Sequence, residues 1–353
     1  MGPALPGGDV RRVLRPCPRE EIEMSYKSML AGLMLATTAL ATTGLATTIA
    51  DAKEMNFAIV TPPDGHYGQG AKAFAEKMKE LSGGDFVVNV KAGGSLGGER
   101  ELLEGEQIGT IELAMTSTGP VGSFVPEIYA LDFPFLFKDY ASARKILDGE
   151  IGDELLSKFE DKGMIGLAWS ENGFRHITNS VHPIKTPADL QGLKLRTMEN
   201  QVHIDAFKEL GASPTPMSWT EVLTSLQQGT IDGQENPIPI IVSNNMWDMQ
   251  KYVTLTGHVY SPAVITMSKI HWDQLSDEEK GWIREASKAA VEATRAVVDQ
   301  TEANGVKTMR EHGMEVIEDV DKAAFQDAVE PTYERYGKEY GEQMIQRIRD
   351  AQK

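Results

Sequence analysis

The chain has 353 residues, 41% hydrophobic and 25% charged, which is long enough for two or three domains with a sizeable core. Lys and Arg number 35 against 52 Asp and Glu, a net charge of −17. That excess argues against a nucleic-acid partner and makes any anionic ligand depend on a local basic exception. A single cysteine, Cys17, excludes a disulfide framework and a CxxC zinc site within one chain.

Residues 29–49 are apolar or small throughout, with Lys27 before them and the small-x-small run Ala50-Asp51-Ala52 after them. A membrane span and the apolar core of a secretory signal compete for this stretch. Its many Ala, Thr and Gly residues are weakly hydrophobic, and no second spanning segment follows, so a signal cleaved near Ala52 is expected. Residues 1–23 are rich in Pro, Arg and Gly and lack apolar periodicity, which points to Met24 as the true start. Cys17 follows Arg15-Pro16, not an apolar run, so no lipoprotein anchor is expected. Residues 1–52 carry five basic and five acidic residues together with Cys17. The chain from Lys53 onward therefore keeps the whole acidic excess and has no cysteine, which suits an oxidising compartment.

From Lys53, strand-like and helix-like segments alternate. MNFAIV (55–60) reads as a strand, followed by a Pro62-Pro63-Asp64-Gly65 turn and a helix with Phe74, Met78 and Leu81 on one face. Strand DFVVNV (85–90), a helix over 99–107 and strand IELAMT (111–116) complete a βαβαβ unit, which implies a parallel sheet with ligands at the strands' carboxyl ends. A second set opens with strand MIGLAWS (164–170). GLKLRT (192–197) is another strand, and a helix over 200–210 comes next. A further helix is expected after Ser218, whose Glu221 completes an S-x-x-E capping box. VTLTG and SPAVITM (261–267) return as strands, a long helix starts at Ser276, and 320–350 is helical and charged. The fold class is therefore α/β in two lobes, with a small-molecule cleft between them.

Neither a GxxxxGK[ST] loop, an HExxH nor an EF-hand loop is present. Gly68-Gln69-Gly70-Ala71-Lys72-Ala73 matches G-x-G-x-x-A. However, two prolines separate it from the preceding strand, and the second strand ends at Val90-Lys91 without an acid, so it reads as an ordinary loop entering a helix. The seven histidines are scattered, and none sits at metal-ligand spacing, so neither metal nor cofactor is expected. Three segments carry the positive pattern. ENGFRHITNS (171–180) puts Arg175 beside turn residues just after a strand, LKLRT ends a strand on Arg196, and GTIDGQENP (229–237) is a polar turn. An arginine at a strand's carboxyl end can grip a carboxylate bidentately, although each could equally form a surface salt bridge.

With LKLRT, GASPTPMSWTEV (211–222), LQQGTIDGQENP (226–237) and QKYVTLTGH (250–258) in this order, the chain resembles the extracytoplasmic solute-binding subunit of tripartite ATP-independent periplasmic (TRAP) transporters, of DctP type. The resemblance spans 53–350. It implies two α/β lobes, 53–172 with 262–301 and 173–261 with 302–353, joined by a long helix and closing on a small organic acid. It also implies no catalytic turnover and delivery of the ligand to a TRAP membrane permease. Arg196 matches the family's carboxylate-gripping arginine, Arg175 a second arginine near it, Asn236 a contacting asparagine, and Trp219 an aromatic wall. His66, Glu99, Ser117 and Thr118 match cleft positions of the first lobe, and Glu199 one of the second.

Sialic-acid relatives share LKLR and DGQENP but carry an asparagine at the position of Glu199 and charged groups at those of Ser117 and Pro120. Two cleft carboxylates, Glu99 and Glu199, would repel a ligand's second carboxylate by about 1 kcal/mol even in water. Carboxylates accept from sugar hydroxyls, and Trp219 suits the C–H face of a pyranose. A hexuronate such as glucuronate or galacturonate is therefore the expected ligand, with a C4-dicarboxylate or 2-oxo acid as the alternative. A secreted sugar-acid enzyme and a ligand sensor are the competing functions.

Overall fold

The computed structural model describes Gly2 and residues 53–353; the expected signal segment and its cleavage site lie outside the described residues. Nine strands form one sheet: β1 (Lys53–Ala58), β2 (Phe86–Lys91), β3 (Leu113–Ser117), β4 (Met164–Asn179), β5 (Lys194–Thr197), β6 (Ser213–Pro216), β7 (Gly233–Pro237), β8 (Tyr252–Ser268) and β9 (Glu315–Ile317). Their order is β2-β1-β3-β8-β4-β7-β5-β6, with β9 beside β8. The first βαβαβ unit forms as expected, with β1 pairing parallel to both β2 and β3. A second unit of the same topology follows, β5 lying parallel to β6 and β7. Its third strand needed the tertiary structure: the GQENP segment, expected as a polar turn, is β7, buried throughout. β6, with two prolines in four residues, sits at the sheet edge, where a missing N–H costs least.

β4 and β8 join the two units. They pair antiparallel along almost their whole length, β8 also flanking β3 and β4 flanking β7. Two expected strands, VTLTG and SPAVITM, are thus parts of one. ENGFRHITN, expected as a turn, continues β4, so Arg175 lies mid-strand. Burial on both faces removed the alternation that marks a strand in sequence. The pairing slips between Glu171 and Gly173, opposite Ser261 and Pro262, and Gly173 takes φ 125° there.

The helix Asp277–Glu311 begins with a capping box: Glu279 N–H donates to Ser276 Oγ (3.2 Å), and Ser276 N–H donates to Glu279 Oε2 (2.7 Å). Its apolar stripe, Ile283, Ala286 and Ala290, packs with Phe57, Phe74 and Met78 in one core cluster. The box expected at Ser218 does not form. That hydroxyl makes no cap bond to the helix Trp219–Gln227; it pairs instead with Thr220 Oγ1 (3.1 Å). The C-terminal helices Glu330–Tyr340 and Glu342–Asp350 contribute Tyr336, Ile345 and Ile348 to a cluster with Val125, Ile128 and Trp169.

The G-x-G-x-x-A stretch lies inside the helix His66–Leu81, and its glycines serve packing. A Cβ on Gly70 would sit 2.1 Å from Thr294 Oγ1 of the long helix; one on Gly68 would sit 2.3 Å from the carbonyl oxygen of Pro63. Backbone cannot swing aside as a side chain can. Gly68→Ala is therefore expected to destabilise the fold by about 1–3 kcal/mol in urea unfolding, and an unchanged midpoint would contradict this packing.

Candidate functional site

The carboxyl ends of β1, β3, β5 and β7 converge on one narrow cavity, where open α/β sheets place their ligands. β1 runs out into Thr61, β3 ends on Ser117, β5 is followed by Met198, and β7 carries Asn236; all four line it. Glu99, Arg196 and Trp219 line it too. A neighbouring cavity shares Glu99, Arg196, Met198 and Trp219 and adds Glu199. The Gly-rich loop before Glu99 meets the opposite helix start at the rim: a Cβ on Gly98 would lie 2.1 Å from Ser218 Oγ, and one on Gly94 2.5 Å from Thr220 Cγ2. Bare backbone at these two glycines lets the walls touch.

Arg196 is 4% exposed. Its Nε and Nη2 both donate to the Met217 carbonyl (3.0 and 2.7 Å), and the guanidinium lies 5.7 Å from the Trp219 ring. It forms no salt bridge among the described residues. Burial pulls its pKa down to about 10, so it remains a cation at neutral pH. Glu99, the first residue of the helix Glu99–Ile108, has both oxygens held by Ser117. The backbone N–H donates to Oε1 (2.6 Å) and the hydroxyl to Oε2 (2.7 Å). Desolvation raises its carboxyl above the usual range, while the Ser117 bonds and Arg196 oppose that rise.

Arg175 does not line either cavity; it is wholly buried. Its Nε donates to Glu235 Oε2 (2.5 Å), and its Nη2 donates to Glu235 Oε1 (2.8 Å) and to the Glu235 carbonyl (2.6 Å). His258 Nε2 reaches the same carboxylate at 3.1 Å, and Thr256 Oγ1 lies 2.8 Å from Nδ1, which assigns the proton to Nε2. Despite burial, Arg175 and His258 hold the Glu235 carboxyl well below its ordinary range. Of the two arginines, only Arg196 is an unneutralised cation at the cavity.

His66 and Thr118 also stand behind the lining. Burial drives His66 down to about 4, so it is neutral, and its Nε2 meets Asn172 Oδ1 at 3.2 Å, leaving the Asn172 amide NH2 for the cavity that Asn172 lines. Thr118 donates to Asp132 (2.6 Å), as does Asn200 (2.7 Å). Reading the sequence missed Asn172, Tyr67, Thr61 and Met198 in the lining, and Glu235 and Asp132 behind it. Asn172 and Glu235 lie inside the segments it singled out, whereas apolar Met198 carried no chemical signature. No cluster suited to a metal ion occurs among the described residues, and none of their helices is long and apolar enough to cross a membrane.

A two-lobed α/β molecule with a buried cation, unpaired among the described residues, at the shared carboxyl ends of its strands has the design of a periplasmic solute-binding protein. The chain belongs to bacterial extracellular solute-binding protein family 7 (DctP), whose model matches residues 57–339. It is similar to the 2,3-diketo-L-gulonate-binding periplasmic protein YiaO of Escherichia coli, with 38% identity over 79% of this chain and 85% of that protein. Among solved structures, it is similar to a TRAP periplasmic solute binding protein of Bordetella bronchispeptica whose density was interpreted as pantoate (TM-score 0.83, 52% identity, 85% of this chain and 99% of that one). One from Polaromonas, bound to D-erythronate, is also similar (0.83, 48%, 84% and 98%). So is one from Chromohalobacter salexigens with bound D-glucuronate (0.81, 32%, 84% and 100%).

Removing one partner of a buried ion pair strands the other charge, so Glu235→Ala is expected to cost about 3–5 kcal/mol of stability in chemical denaturation. A loss under 1 kcal/mol, roughly that of an exposed pair, would show Arg175 to be solvated. Burial also pushes the Asp132 carboxyl up to about 7, against the pull of Thr118 and Asn200. In the unfolded chain it titrates near ~3.9. Between those values the folded state holds a proton the unfolded state lacks, so stability falls as pH rises through the window. Asp132→Asn is expected to remove that contribution, leaving those of the other buried titratable groups, among them Glu302, which burial also raises to about 7. Denaturation series from pH 4 to 8 with equal slopes in both proteins would contradict it.

Proposed function

We propose that the protein captures a hydroxylated monocarboxylate of the sugar-acid class, a hexuronate foremost, outside the cytoplasm and passes it to a TRAP membrane permease without changing it. The observation that carries the reading is Arg196: a buried guanidinium, tied on one edge to a neutral carbonyl and facing a cavity with no carboxylate paired to it. A ligand carboxylate completes it, and exclusion of water strengthens that pair. Glu99 and Glu199 beside it disfavour a second carboxylate and accept from hydroxyls, which sets sugar acids ahead of C4-dicarboxylates. The relative that binds 2,3-diketo-L-gulonate and the structure holding D-glucuronate support this ligand class. The structures at 52% and 48% identity, with pantoate and D-erythronate, favour a second reading, a shorter hydroxy acid held by the same chemistry.

The site consists of Arg196, Asn236, Trp219, Glu99 and Ser117 at the cavity, Glu199 beside it, and Arg175, His66 and Thr118 holding these in place. The lobes are 53–172 with 262–301 and 173–261 with 302–353. The slip in β4 between Glu171 and Gly173, opposite Ser261 and Pro262, supports the boundary there and provides a flexing point. Cleavage near Ala52 would release the chain to the periplasm. A thermal-shift screen of hexuronates, four-carbon hydroxy acids and dicarboxylates tests the class, since ligand at a hundred times Kd adds about 2.7 kcal/mol. Arg196→Ala is expected to weaken carboxylate binding by at least about 3 kcal/mol in calorimetry, and Arg196→Lys, which keeps charge without the fork, by less. Near wild-type affinity in Arg196→Ala would sink the assignment.

A further inference from the structure

Two residues of the cavity wall have roles that no part of the reading above uses. Tyr67, in the first turn of the helix His66–Leu81, and Thr61, just beyond β1, are each 1% exposed and line the cavity together with Arg196 and Glu99. Neither Tyr67 Oη nor Thr61 Oγ1 has a hydrogen-bond partner among the described residues, though both atoms are shielded from solvent. Burying an unpaired hydroxyl is unfavourable, and a fold that only needed bulk here could use phenylalanine and valine. The apolar body of Tyr67 is in fact core, packed in the cluster of Phe57, Phe74 and Met115 and against the His66 ring at 4.5 Å, so only its hydroxyl is left without a structural role.

The groups around these hydroxyls define what would satisfy them. Glu99 is held by Ser117 and keeps further acceptor capacity on both oxygens. Asn172 has its carbonyl oxygen engaged by His66 and offers N–H donors. Burial, reinforced by the nearby Glu99 charge, keeps the Tyr67 phenol protonated and therefore a donor. A wall that mixes fixed donors with a fixed carboxylate acceptor is mismatched to a second carboxylate, which only accepts, and to an ammonium, which only donates. An alcohol does both at once.

We propose that Tyr67 and Thr61 form the subsite that reads the hydroxyl groups on the ligand's carbon chain, so that the protein binds hydroxylated acids and rejects their deoxy analogues. This rests on the sugar-acid reading and assigns its specificity: Arg196 holds the carboxylate, and these two hydroxyls with Glu99 hold the alcohols. Discrimination follows because a deoxy ligand leaves buried polar groups unpaired inside a closed cleft.

The test is calorimetry on the wild type, Tyr67→Phe and Thr61→Val with two matched pairs: D-galacturonate against tetrahydropyran-2-carboxylate, and D-erythronate against butyrate. The wild type is expected to prefer the hydroxylated member of at least one pair. Each variant should weaken that member by about 10- to 100-fold while leaving its deoxy partner within about 2-fold. Ligand-free melting temperatures should not fall, since neither hydroxyl has a protein partner to lose; a fall would show a structural role instead. Unaltered affinity in both variants, or equal weakening of both members of a pair, overturns the subsite and leaves the sugar-acid reading standing. A wild type that binds neither hydroxylated acid overturns that reading and the subsite with it.

Discussion

The ion pair between Arg175 and Glu235 is the constraint around which the rest of the molecule is arranged. It joins β4 to β7, and His258 ties β8 to the same carboxylate, at the place where the two parallel units meet. Desolvating two charges is expensive, and a bidentate fork with a further bond to the Glu235 carbonyl offsets that cost only in one geometry. The pair therefore sets where the third strand of the second unit lies against the long strands. Asn236, the next residue of β7, is delivered to the cavity by that placement.

The same pair settles the electrostatics of binding. With Arg175 cancelled by Glu235, the cavity retains one free cation among the described residues, Arg196, beside Glu99, in a chain whose net charge is −17. The protein's overall field repels an anion at long range, whereas screening confines that repulsion to about 8 Å at physiological salt. Inside the cleft, low dielectric and a fixed guanidinium reverse the balance for a single carboxylate. On the proposed reading, Glu99 and Glu199 then act against a second charge, selectivity for monocarboxylates coming from the acidic residues and affinity from the arginine.

Much of this was legible in the chain. The first βαβαβ unit, the long helix after Ser276 and the family landmarks LKLRT and DGQENP could all be read, because periodicity, capping residues and turn residues are local signals. The capping box at Ser276 formed, whereas the one at Ser218 did not. With the same S-x-x-E pattern, the Ser218 hydroxyl pairs with Thr220 instead of the helix backbone. The buried halves of β4 and β8 were read as turns or as separate strands, because a strand covered on both faces and carrying functional polar residues shows neither alternation nor an apolar run. Arg175 and Arg196 look alike as strand-borne arginines; nothing local distinguishes the one that finds a carboxylate in its own protein from the one that does not.

By itself, the sequence determined the α/β class, the two-unit plan and the residue types available for gripping an acid, since those depend on short-range pattern and composition. Only the tertiary structure decided which of those residues reach the cavity. It placed Arg196, Glu99, Ser117, Trp219 and Asn236 in the wall, put Glu199 beside it, and set Arg175, His66 and Thr118 behind it. It also brought in Asn172, together with Tyr67 and Thr61, which no motif marked. The physical reason is that burial and partner choice are properties of packing between segments separated in sequence, by 60 residues for Arg175 with Glu235 and by 106 for His66 with Asn172, and a side chain's charge, tautomer and free hydrogen bonds follow from that packing.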